Sequence, residues 1–315
     1  MRAIEIPYFR SIIEREVIFI RKELLGLERK NWTNVPVYKK YRFCNVHRCY
    51  DKTFRLINEL DLLLTDINRP LHPGLRTVLR WSASNSLIQW LIDNLKYKTS
   101  VSNAIIEANK GQPENLFANT LDAYHNNIIS LVSGSFIVKR YGNDFEEMCL
   151  YYKAGTEFYK KFIEPFLKEG TKRTSKDAVK FFKDHAPWCA DFGAYCIVSD
   201  WLYIEPNLWL DKYTWTAYGP GAFNGINLII NTTKTNYLKH LSLLREEWLK
   251  YSNEILTEIL NEVGMNVNHV DNLCVSKGYL PMSKLIVEPL MLDVEHWLCE
   301  YAKYMRGCTR KKYKE

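Results

Sequence analysis

The feature that most constrains this chain is the spacing of its apolar residues, which step by three and four positions through most of its 315 residues. From Pro7 to Gly26, Ile12, Ile13, Glu16, Val17, Ile20 and Leu24 follow that step, with Pro7 placed for a first turn and Gly26 for a stop. The same pattern predicts helices over residues 38–45, 51–65, 75–96, 116–131 and 145–167, each ending near Gly, Pro or a polar cluster. Thr174-x-x-Asp177 ahead of Val179, Phe181 and Phe182 reads as a capping box opening another helix. Residues 191–203 form its partner across a short turn. Between Glu205 and Ala222, Pro206 and Gly219-Pro220-Gly221 break helices while aromatics stay dense, which predicts an ordered loop. A long helix over 237–263 and a last one over 289–306 follow. Strand signals are few and short. The expected fold is all-α, in two helical lobes of residues 1–170 and 171–315 that divide at Lys168–Thr174.

Composition narrows the function classes. With 47% apolar and 25% charged residues the chain is neither fibrous nor disordered. Lys and Arg exceed Asp and Glu by 43 to 36, a modest positive balance that suits a polyanion without demanding one. Residues 1–7 lack the basic stretch, apolar block and cleavage site of a secretory signal, so the chain is expected to stay where it is made. No run approaches the roughly 18 apolar residues of a membrane span. The eight cysteines form no C-x-x-C pair and point to reduced thiols rather than a disulfide framework.

Three segments carry residue types suited to chemistry. In the first, Arg21 and Lys22 are followed by Trp32-Thr33 and by Tyr41–Asp51. If the latter begins as a helix, Arg42, Asn45 and Arg48 share one face, where two guanidinium forks and an amide suit a phosphate ester. The same residues also fit a solvated face with Arg48 paired to Asp51. Cys44, His47 and Cys49 match no familiar zinc spacing and lack a fourth ligand. In the second segment, a helix pair over 178–203 precedes Asp211 by the interval at which helix-hairpin-helix base-excision enzymes place an acidic residue. Its turn, Ala186–Phe192, lacks glycines for close phosphate approach, and a plain helical corner sealed by Trp188 and Phe192 fits it equally. Gly219-Pro-Gly221 could cradle phosphate through backbone amides or be an ordinary turn. In the third segment, Asp293–Tyr304, His296 and Glu300 are i,i+4 neighbours beside Glu295 and Cys299. A carboxylate next to an imidazole suits a general base or a magnesium anchor, and a surface ladder of Glu300 with Lys303 is the plainer reading.

Taken in order, Glu14-Arg-Glu, Arg21-Lys22, Trp32-Thr-Asn34, Tyr41–Arg48 with Asp51, Ala194-Tyr195 through Asp200 and Tyr203, Asp211 with Thr214-Trp215, Gly219-Pro-Gly-Ala with Gly225, and Glu295–Glu300 with Lys303-Tyr304 and Arg306 resemble one family. It is the α-glutamyl/putrescinyl thymine pyrophosphorylases, helical enzymes of phage DNA hypermodification whose fold also appears as the helical domain of 5-hydroxymethyluracil DNA kinases. The resemblance spans residues 14–306; Pro187–Ala190 departs from the family's glycine-bearing turn, and Ala302 stands where an acidic residue is expected.

That resemblance implies a DNA-glycosylase-like helical core and a transferase that replaces pyrophosphate on 5-(pyrophosphoryloxymethyl)uracil in DNA by an amine, either an amino acid or a polyamine. It places the reaction in the cytoplasm of an infected bacterial host, after a separate 5-hydroxymethyluracil DNA kinase, with no membrane partner. Arg21, Lys22, Arg42, Asn45, Arg48 and Lys303 would bind pyrophosphate, with Mg2+ as the metal that could assist. Asp211, Glu295 or His296 would deprotonate the amine, while Trp215, Gly219 and Gly221 would meet the DNA or an everted base. Two alternatives stand beside it: a glycosylase using Asp211, and a noncatalytic DNA-binding module that partners a kinase. The chain itself has no G-x-x-x-x-G-K-[ST] phosphate loop.

Overall fold

The first helix, α1 (Pro7–Phe19), opens with Pro7 in its first turn and runs on into a π-helical turn over Ile20–Leu24. Gly26 then takes a φ of 65°, the left-handed conformation that ends helices at glycine. The computed structural model describes residues 6–65, 70–133, 143–186 and 191–307 of the protein. After α1 comes α2 (Pro36–Lys40), which is all that forms of the helix predicted over 38–45. Tyr41 is extended, and no helix resumes until the 3-10 turn Arg48–Tyr50. Side chains replace the helical ladder here. Arg15 takes the carbonyls of Cys44 and Asn45, the Glu300 carboxylate accepts the Cys44 N–H, and Asn45 donates to the Tyr50 carbonyl.

The chain continues through α3 (Lys52–Thr65), α4 (Pro73–Ser82), α5 (Asn85–Lys96), α6 (Val101–Asn109) and α7 (Glu114–His125). The single helix predicted over 75–96 is thus two. Ala83 adopts a φ of 46° and Ser84 caps α5 by accepting the Leu87 N–H. Ser82 and Ser84 donate to the carbonyls of Leu131 and Ser130, and the segment they capture is the part of 116–131 that leaves the helix after His125. Next come α8 (Asp144–Phe158), a π-helical turn over Tyr159–Ile163, α9 (Glu164–Glu169), α10 (Ser175–His185) and α11 (Asp191–Ile204). Thr174 caps α10 as predicted, accepting the Asp177 N–H at 3.1 Å. The turn between α10 and α11, with Trp188 and Ala190, lies outside the described residues.

The last part holds α12 (Pro220–Asn227), α13 (Tyr237–Val263), α14 (Val267–Ser276), α15 (Met282–Val287) and α16 (Met291–Met305). The fold is all-α, and no β-strand forms among the described residues. No helix among them is long and apolar enough to cross a membrane.

Contacts sort the chain into two units, residues 1–51 with 211–315, and residues 52–210. The division expected near residue 170 is not where the chain parts. Phe158 of α8 stacks on Phe162 of the π-turn, Phe162 meets Phe181 of α10 edge-on, and Phe158 packs at a tilt against Phe182 of α10 and Trp201 of α11. That aromatic cluster keeps residues 144–169 with 175–204. In the other unit Phe9 of α1 meets Trp248 of α13 edge-on at 5.2 Å, and Trp248 lies 4.4 Å from Trp297 of α16. These contacts fold the first 51 residues onto the last hundred or so.

A buried ionic cluster on the last helix as candidate functional site

Within the first unit, α16 buries Asp293, Glu295, His296 and Glu300, while α1 buries Glu14, Arg15 and Glu16. The nonhelical segment 44–48 joins the two sets. Seven buried ionisable side chains in apolar surroundings must be paired or neutral, because an isolated charge there is costly.

His47 lies at one end. Its Nδ1 is 3.1 Å from Asp293 Oδ1 and its Nε2 is 2.9 Å from Glu16 Oε1, all three side chains being fully buried. Burial alone would lower the imidazole pKa, but the charge and hydrogen bond of Asp293, together with Glu16, override it and push the group up to about 9. His47 is therefore an imidazolium at neutral pH. Asp293 also accepts the Leu290 N–H at 3.1 Å, closing the first turn of α16. The triad ties α1, the 44–48 segment and α16 together, and its polar atoms face one another rather than an open space.

The other end is better suited to chemistry. Arg48 donates to Glu295 Oε2 at 3.3 Å, and its side chain keeps 17% of its surface exposed. Burial raises the Glu295 carboxyl above the usual range, and the Arg48 charge only partly opposes this. His296 stands beside it with Nε2 2.9 Å from the Asn45 carbonyl, so that nitrogen carries the proton and donates. Burial, then the charges of Arg48 and Arg15, hold the imidazole well below its ordinary pKa, leaving it neutral. Glu300 accepts the Cys44 N–H at 3.1 Å and pairs with Lys303, and this pairing outweighs burial to keep the ammonium protonated.

The start of α12 closes over this end. A Cβ on Gly219 would collide with Glu295 Oε1, one on Gly221 would lie 2.5 Å from Cys299 Sγ, and one on Gly225 would run into the Leu298 carbonyl. The glycines of this motif make room for α16 against α12. The Glu295 carboxylate, rather than an open cradle, abuts the N-cap residue Gly219, where the helix dipole favours negative charge.

Of the residues singled out from sequence, Asn45, Arg48, Gly219, Gly221, Glu295, His296 and Lys303 come together here. Three do not. Arg21 donates to the Trp32 carbonyl at 3.2 Å and to the Glu262 carbonyl at 2.7 Å, capping the last turn of α13. Lys22 pairs with Glu23 at 2.5 Å and lies 5.5 Å over the Trp32 ring. Arg42 sits exposed on the nonhelical segment, so the common helical face expected for Arg42, Asn45 and Arg48 does not form. Lys22 and Asn45 do border one pocket, of about 30 Å³, room for a single water. Asp211 and Trp215 lie in a turn whose Lys212 carbonyl accepts the Met291 N–H, tethering it to the start of α16. Among the described residues no three His, Cys, Asp or Glu side chains gather to hold a metal ion.

Glu300 was legible in the sequence as the neighbour of His296 and Lys303, whereas Arg15, Glu16, His47 and Asp293 join the cluster without a site role that the sequence assigned to them. Glu16 gave a signal, since it falls on the apolar stripe of α1, where a charge requires a partner. His47 and Asp293 are far apart in sequence and gave none.

An all-α chain whose two ends converge on a buried ionic cluster defines a helical protein with a polar interior site. Residues 5–314 match the family described as 5-hmdU DNA kinase, helical domain, and the chain belongs to that family. No curated protein and no solved structure matches it.

Proposed function

We propose that this chain acts on DNA carrying 5-(pyrophosphoryloxymethyl)uracil and replaces the pyrophosphate by an amine. The observation that carries the reading is the Arg48–Glu295 pair: a partly exposed guanidinium beside a buried carboxyl of raised pKa. An amine is protonated in water and must lose a proton to attack. Glu295 accepts that proton, and its raised pKa brings it nearer to working pH than an ordinary carboxylate. As the C–N bond forms at the methylene carbon and the C–O bond breaks, negative charge grows on the departing pyrophosphate. Arg48 and Lys303 supply cations for it. His296, neutral and fixed by the Asn45 carbonyl, positions the segment that carries Arg48. Asp211 is the second candidate base, Trp215 a stacking surface for an everted pyrimidine, and the host cytoplasm the proposed setting.

One observation favours a second reading. Arg48 and Lys303 are already matched by Glu295 and Glu300, as in a structural core, and the chain has no phosphate loop of its own. That suits a DNA-binding module that partners a 5-hydroxymethyluracil DNA kinase. Incubating the pyrophosphorylated DNA with a panel of amino acids and polyamines, then digesting to nucleosides for mass analysis, separates the two. A new nucleoside heavier by the amine supports the transferase; DNA bound but unchanged supports the module, and free base with an abasic site supports a glycosylase.

A further inference from the structure

Residues 52–210 form an open pocket of about 520 Å³, within the range typical of small-ligand sites, with Lys160 and Leu167 exposed at its rim. Its walls come from the start of α4, the π-helical turn Tyr159–Ile163, α9 and the end of α11. A π-turn widens a helix locally and is frequent at functional sites. Here it brings Tyr159 and Ile163 to the pocket beside Trp201 and Leu167, which makes much of the lining apolar and aromatic.

Most polar groups of the lining are satisfied within the protein. Arg76 donates to Asn58 and Asp61 and lies 5.9 Å over the Trp201 ring. Asn109 spends its amide on the His72 N–H and the Pro70 carbonyl, and Glu164 pairs with Lys168 at 2.6 Å. Two opposite charges are left over: Lys160 and Glu205 both border the pocket, and neither side chain has an ion pair or hydrogen bond among the described residues. His72 completes the lining. Its Nδ1 accepts the Gly74 N–H at 3.1 Å and its ring stacks on Tyr152 at 4.8 Å, so Nε2 bears the proton of the neutral ring. Burial first, then Lys160, lowers its pKa and keeps it in that form.

We infer that this pocket binds a free amino acid with a large apolar side chain, its carboxylate on Lys160 and His72, its ammonium on Glu205, and its side chain against Trp201 and Tyr159. One unpaired cation and one unpaired anion over apolar walls complement a zwitterion better than they complement an anion such as a nucleotide, which Glu205 would repel. The site is independent of the proposed reaction and is measured without DNA.

Titration calorimetry of the full chain with phenylalanine, and with the other common amino acids, tests it. Saturable binding of phenylalanine or another bulky apolar amino acid is expected. Phenethylamine, which lacks the carboxylate, and 3-phenylpropionate, which lacks the ammonium, should each bind about 10-fold more weakly or worse. Lys160→Met should weaken phenylalanine but not phenethylamine, and Glu205→Gln should weaken phenylalanine but not 3-phenylpropionate. Both variants should melt as the parent does, because neither side chain has a partner among the described residues to lose. Absence of binding by every amino acid, equal losses for all three probes in either variant, or tighter binding of adenosine monophosphate that Glu205→Gln leaves unchanged would overturn the assignment.

Discussion

At the residue scale the decisive fact is how each buried charge is matched. His47 sits between two carboxylates and holds its proton to about pH 9, whereas an unfolded histidine releases it near pH ~6.5. Its contribution is therefore complete below the unfolded value and is lost as pH rises through about 9. The difference corresponds to about 3 kcal/mol. Urea unfolding at successive pH values should show stability falling over that window, and His47→Gln should flatten the fall while lowering stability at neutral pH. A parent protein equally stable at both ends of the window would show that His47 is not charged in the fold. Glu295 behaves differently because burial, not a partner, dominates it. Glu295→Gln should leave the melting temperature within a few degrees of the parent and reduce turnover by about 10²-fold or more. Arg48→Ala should cost stability as well as turnover, because it leaves the Glu295 carboxylate buried without its cation. Adding Glu295→Gln to Arg48→Ala should recover part of that stability, a coupling a double-mutant cycle reads directly.

At the scale of elements the crossing of α12 and α16 is the tightest constraint. Gly221→Ala should destabilise by about 1–3 kcal/mol through overpacking against Cys299, and Cys299→Ala should relieve it, as thermal melts of the pair would show. Gly225→Ala meets the Leu298 main chain, so no side-chain substitution should rescue it. The elements were also where sequence was most and least informative. The 237–263 helix matches α13 end to end because its apolar side chains recur without interruption and Gly264 stops it with a φ of 68°. The 38–45 helix failed because Arg15 and Glu300, distant in sequence, claim the backbone groups that a helix would have used. The 75–96 helix broke because Ser82 and Ser84 captured carbonyls near residue 130. Local periodicity carries no information on such long-range partners. Arg48 and Glu295 were legible as residue types suited to phosphate and base chemistry, but the pairing that joins them is a property of the fold.

At the scale of the whole molecule, the unit that carries the site is assembled from both ends of the chain, with residues 52–210 inserted between Asp51 and Asp211. A truncation after residue 210 should therefore leave residues 1–51 without α13 and α16, and the fragment should lose the cooperative unfolding of that unit. The boundary expected near residue 170 would have predicted the opposite, an N-terminal piece able to fold alone. The proposed reaction also belongs to this scale, since base, leaving group and amine must meet at α16. The most direct measurement is the mass of the nucleoside recovered from pyrophosphorylated hydroxymethyluracil DNA after exposure to the protein and an isotopically labelled amine, in the parent and in Glu295→Gln. Label incorporated by the parent and sharply reduced in the variant is the predicted result; equal incorporation by both, or none by the parent with any amine, would contradict it.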